Sequence, residues 1–154
     1  MEQKANKTVV VRIDGSQNAK KVNKRPFELK EKCQDFSADI FMVTSVAQKE
    51  YRLSVCKKVQ DISCEVVHAI RLANSCKLGT SSRRQAQKDA LEMMERISDL
   101  LPILMKCRCI SQDQLEKLEK KLRAIKIGHN AWIEKDMESL KQIKADKSPD
   151  SVQG

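Results

Sequence analysis

The sequence predicts an all-α protein, an antiparallel up-down four-helix bundle, and three observations carry that expectation. Apolar residues recur at alternating three- and four-residue steps in four separate segments. The 154 residues include only four Gly and three Pro, with 40% apolar and 33% charged side chains. The segments are joined by short polar connections, which place sequence neighbours side by side in space. A chain of this length buries a core without a metal or a disulfide to hold it.

The first stripe is Leu29, Cys33, Phe36, Ile40, Val43 and Ala47. Pro26 suits a first helical position, so the first helix is expected over residues 26–47. The second stripe, Val55, Val59, Ile62, Val66, Ala69 and Ala73, gives a helix over 50–75. Val67, Ile70 and Leu72 widen its apolar face, as expected of a helix that is central in its bundle or also buried against another chain. Gly79 closes that helix, and Ser82 with Gln85 forms a capping box for the next, with Ser81 or Thr80 as alternative caps. The third stripe is Ala90, Met94, Ile97, Leu101 and Leu104, with Pro102 expected to kink the helix. Ser111 and Gln114 form a second capping box. Leu115, Leu118, Leu122, Ile125, His129 and Trp132 then define a helix over 112–143.

The domain is therefore expected over residues 26–144. Residues 1–25 read as a basic, flexible arm containing an isolated β-like run, Thr8–Ile13, and 145–154 as a disordered tail. The opening stretch MEQKANKTVVVR lacks the apolar core of a secretory signal, and no run is long enough to span a membrane. A cytoplasmic chain with six reduced cysteines and no membrane partner is expected.

Signals for catalysis are missing. The glycines, at 15, 79, 128 and 154, form no phosphate loop, and no nucleophile elbow occurs. Cys107 and Cys109 lack the second pair that a zinc site uses. A di-iron bundle needs two Glu-x-x-His motifs; Glu65 precedes His68 at that spacing, but Lys126 precedes His129. His129 falls on the apolar stripe and reads as a hydrogen-bonded core residue. No enzyme activity, metal or cofactor is expected.

The informative signal is charge. The chain carries a net +9, of which residues 1–26 contribute +5. From Arg71 to Lys88 there are five basic residues and no acidic one. Five aromatic residues are too few for base-stacking modules, so RNA or DNA would be held through phosphates, with little sequence readout. The candidate nucleic-acid contacts are Lys77, Arg83, Arg84 and Lys88 around the second turn, and Arg52, Lys57 and Lys58, with Lys49, near the start of the second helix. Arginines opening a helix oppose its dipole and need another reason to be there. The alternative is a bundle that serves as a protein-interaction scaffold with no nucleic-acid role.

The second helix ends in VVHAIRLANS, a polar turn follows, and the third helix reads RRQAQKDALEMMERISDLLPIL; the fourth contains NAW. Over residues 27–135 this order resembles the bacterial four-helix bundle family of the accessory variability determinant (Avd) of diversity-generating retroelements, together with its relatives encoded in intervening sequences of ribosomal RNA genes. The resemblance rests on helix order and length, Ala73-Asn74, Arg83-Arg84 and Ala131-Trp132. It implies a homopentameric barrel of bundles with basic surfaces. It also implies binding to a reverse transcriptase and to RNA or DNA during copying of a template repeat, with Arg83, Arg84 and Lys88 on the basic surface.

Overall fold

A computed structural model describes residues 24–147. The basic arm, its Thr8–Ile13 run and residues 148–154 lie outside the described residues. Within them the chain is all-helical: α1 (Lys24–Thr44), the single turn α2 (Lys49–Arg52), α3 (Val55–Ser75), α4 (Ser81–Lys106) and α5 (Gln112–Asp146). The four long helices pack in a closed cycle, α1 on α3, α3 on α4, α4 on α5 and α5 back on α1.

The stripes are the core. Leu29, Cys33, Phe36 and Ile40 of α1 meet Val59, Ile62 and Val66 of α3, Met94, Ile97 and Leu101 of α4, and Leu115, Leu118, Leu122 and Ile125 of α5. Ile70 of the widened α3 face is also buried, Val67 half-buried and Leu72 exposed. Small buried hydroxyls fix the relation of α1 to α3. Ser37 and Ser63 share a 2.8 Å hydrogen bond, and Gln60 Nε2 donates to Thr44 Oγ1 at 2.9 Å. Thr44 in turn donates to the Ile40 carbonyl at 2.6 Å, so these buried polar atoms are paired as burial requires.

Helix boundaries differ from the expectation at both ends of α1, within the second helix and at the end of α5. α1 stops at Thr44 rather than residue 47, because the Thr44 side chain and the Ser45 and Ala47 amides turn back on preceding carbonyls. The second helix divides into α2 and α3 where Ser54 adopts a non-helical backbone with its hydroxyl donating to the Glu50 carbonyl. α3 ends at Ser75, the expected last residue, with Cys76 already extended. Gly79 instead forms the turn itself at φ +90°, where an added Cβ would lie 3.1 Å from Leu140 Cδ2. α5 continues to Asp146, three residues past the expected 143 and into the segment read as tail.

The cap of α4 is Thr80, which accepts from the Arg83 amide at 3.2 Å, rather than the Ser82–Gln85 box. The Ser111–Gln114 capping box opens α5 as expected, with both reciprocal bonds present. α4 runs on through Pro102 and closes in a Schellman turn. Arg108 takes a left-handed φ of 64°, while its amide returns to Met105 O and that of Cys109 to Leu104 O.

His129 is fully buried, and neither ring nitrogen has a hydrogen-bond partner. This corrects the expectation of a hydrogen-bonded core histidine. Its ring meets Trp132 edge-on at 5.9 Å, and the Gln87 backbone approaches without hydrogen-bond geometry. Burial lowers its pKa below the ordinary value. The native state thus resists protonation while the unfolded chain accepts a proton near pH ~6.5. Stability carried by neutral His129 is full above that pH and is lost as pH falls toward the lowered native pKa. Urea midpoints measured at about pH 7.5 and about pH 5.5 should therefore drop for the wild type more than for His129→Leu. Equal drops would refute this assignment.

Candidate nucleic-acid interface

Electrostatics at the start of α4 are unfavourable on local grounds. Its first turn contains no acidic residue and two arginines, against the positive end of the helix dipole. The missing carboxylate comes from α5. Arg83 Nε donates to Asp136 Oδ2 at 2.7 Å and Nη2 to Oδ1 at 3.0 Å, a two-pronged pair with 12% and 15% of the two side chains exposed. Gln87, one turn further along α4 and buried, donates to the same Asp136 Oδ2 at 3.0 Å.

The remaining Arg83 nitrogen does a second job. Nη1 donates to the carbonyls of Ala73 (3.2 Å) and Cys76 (3.1 Å), so the guanidinium caps the end of α3 while it opens α4. Its carbon lies 5.2 Å from the Trp132 ring centroid, a cation–π contact. Arg83 thus ties three helices together at one end of the molecule. Its inward direction is the reason for an arginine at this position that the dipole alone does not supply.

With Arg83 turned inward, its neighbours are left outside. Lys77, Arg84 and Lys88 are exposed, and none of them makes an ion pair among the described residues. Arg71, one turn before the end of α3, is exposed too and contacts His68 Nδ1 at 3.1 Å. Asp136, the carboxylate that α5 brings to this end of α4, is taken up by Arg83 and Gln87, and Asp89, the residue after Lys88, accepts from Gln85 Nε2 at 2.9 Å. Lys77, Arg84 and Lys88 thus form a cationic rim without ion pairs, Lys77 before the Leu78-Gly79 turn and the other two on the first turns of α4, and Arg84 borders a shallow apolar groove lined by Ile133, Met137 and Leu140.

The seven candidate contacts do not form one surface. Arg52 ends α2, and Lys57 and Lys58 open α3, whereas Lys77, Arg83, Arg84 and Lys88 follow the end of α3. The 21 residues of α3 separate the groups, about 30 Å at the helical rise. Lys57 is paired with Asp61 at 2.8 Å, while Arg52, Lys58 and Lys49 are exposed without an ion pair among the described residues. Sequence spacing missed Asp136 and with it the role of Gln87, because Asp136 lies 53 positions from Arg83 and 49 from Gln87 and a bidentate pair leaves no periodic trace.

A larger groove, about 390 Å³, lies between α1 and α5 beside Trp132. Glu28, Glu134 and Glu138 outnumber Lys32 and Lys135 there, which disfavours a polyanion. Among the described residues no three His, Cys, Asp or Glu side chains come together as a metal site, and no helix is long and apolar enough to cross a membrane. No protein-family model, curated protein or solved structure matches the chain.

Proposed function

We propose that this chain is a non-enzymatic nucleic-acid-binding protein whose Lys77, Arg84 and Lys88 contact phosphates. Arg83 acts as the positioning residue that fixes their helix. The observation that carries the reading is the rim of exposed cations without ion pairs. Arg83 and Asp136 neutralise each other, and Lys77, Arg84 and Lys88 remain exposed without an ion pair among the described residues. The long α4 contributes free amides and the positive end of its dipole to the same place. Contacts of this kind hold RNA or DNA with little sequence preference.

In the fuller form of this proposal the chain is an accessory protein of a diversity-generating retroelement. It is an antiparallel up-down bundle, assembles as a homopentamer in the cytoplasm, and presents RNA or DNA to a reverse transcriptase. Helix order and length and the positions of Ala73-Asn74 and Ala131-Trp132 support the relationship. The pairing of Arg83 with Asp136 and of Glu95 with Lys126 supports opposite directions for α4 and α5. Leu72, exposed on the widened face of α3, supports self-association.

Fluorescence anisotropy with labelled single-stranded RNA and DNA tests the binding claim. At low salt the dissociation constant should fall at or below the ordinary non-specific range, about 10⁻⁴ to 10⁻⁶ M. Weaker binding to both would overturn the proposal.

A further inference from the structure

The second basic group differs from the first in its surroundings. Nine large apolar side chains are well exposed among the described residues, and four of them fall within positions 41–53. These are Phe41 (44% exposed), Met42 (63%), Val46 (85%) and Leu53 (68%). Scattered exposed apolar residues are ordinary, but a cluster at one turn marks a contact surface. The helix in the middle of that turn, α2, buries none of its residues. Around it stand Lys49, Arg52, Lys57 and Lys58, all exposed, against Glu50 as the one carboxylate within 49–58. Lys57 is held by Asp61, which leaves Lys49, Arg52 and Lys58 without an ion pair among the described residues.

This mixture separates the possible occupants. A nucleic-acid backbone uses the cations but gains nothing from Met42, Val46 and Leu53, which carry no stacking ring. A second copy of the chain docked through the same patch would set Lys49, Arg52 and Lys58 against themselves, because a two-fold interface pairs identical surfaces. An anionic bilayer answers both features at once. Apolar side chains enter the boundary between headgroups and acyl chains, and the surrounding Lys and Arg meet the lipid phosphates. We propose that the 41–58 turn docks peripherally on an anionic lipid surface, inserting Met42, Val46 and Leu53 and setting Lys49, Arg52 and Lys58 against the headgroups. Absence of a spanning helix does not bear on such a contact, which needs only one end of the molecule.

Vesicle co-sedimentation tests it, using the full chain with phosphatidylcholine vesicles and with phosphatidylcholine–phosphatidylserine vesicles. Binding is expected to the second and not the first, and to fall with added salt. Val46→Asp with Leu53→Asp should weaken it at least about tenfold, while circular dichroism and the affinity for RNA stay at wild-type values, since both side chains already face solvent. Arg52→Gln with Lys58→Gln should weaken it without touching the apolar residues. The proposal is overturned by no binding to the anionic vesicles at low salt, by full retention by the Val46/Leu53 variant, or by loss of RNA binding in that variant. A change of oligomeric mass in the Val46/Leu53 variant without vesicles would overturn it in favour of a contact between copies.

Discussion

Asp136→Ala should destabilise the folded chain by about 3 kcal/mol, read as a lower urea midpoint. The carboxylate accepts three hydrogen bonds, two from Arg83 and one from Gln87, in a largely buried setting. Removing it strands a guanidinium with no carboxylate to balance its charge, beside a helix end that already repels it. Arg83→Met should cost a similar amount, by leaving Asp136 uncompensated and the Ala73 and Cys76 carbonyls without their shared donor. Combining Arg83→Met with Asp136→Leu should restore much of the loss, since replacing both members of a buried pair with apolar groups is far less costly than removing one. Arg83→Lys should not rescue, because an ammonium cannot bridge a carboxylate and two carbonyls at once. A loss below about 1 kcal/mol for Asp136→Ala would mean the pair behaves as a surface ion pair and does not organise this end of the molecule.

Reversing the charge of Lys77, Arg84 and Lys88 together to Glu should weaken binding to single-stranded RNA by about a hundredfold or more at low salt. Each phosphate contact on a single strand releases about 0.7 of a counterion, so three contacts account for roughly that factor at 50 mM salt. All three side chains are exposed, so unfolding is not expected to confuse the result. The matched control reverses Arg52, Lys57 and Lys58, which lie at the far end of the 21-residue α3. That change should cost less than about tenfold, because at roughly 30 Å most of the field of one group at the other is screened. Equal losses from the two triples would point to a diffuse charge effect and against a defined rim.

Much of the fold was legible because periodicity is local. Every residue of the third stripe is buried, and the fourth is buried through His129. The Ser111–Gln114 box was readable since its two bonds close within four residues. Positions where tertiary contacts override local signals were not readable in that way. Arg83, ten positions on, donates to the Ala73 carbonyl at the end of α3, a contact that no local pattern announces. His129 looked like a satisfied histidine, and only the surrounding packing reveals that neither ring nitrogen is met.

The candidate site was legible in part, for the same physical reason. A run of cations without acids between Arg71 and Lys88 is visible in the sequence. Which of them faces solvent depends on Asp136, more than fifty positions later, and that partner turns Arg83 inward and leaves Arg84 out. The misfit of two arginines with a helix dipole was the useful clue, and it divides between them. Arg83 is explained by its buried partners, and Arg84 retains the misfit that the proposed phosphate contact resolves.

The central claim is that Lys77, Arg84 and Lys88 meet phosphates directly, and the salt dependence of RNA affinity tests it most directly. A plot of log K against log salt for the wild-type chain should have a slope of about −2 or steeper, and the three reversals should flatten it by about 2. A slope near zero, or one that the reversals leave unchanged, would contradict the account.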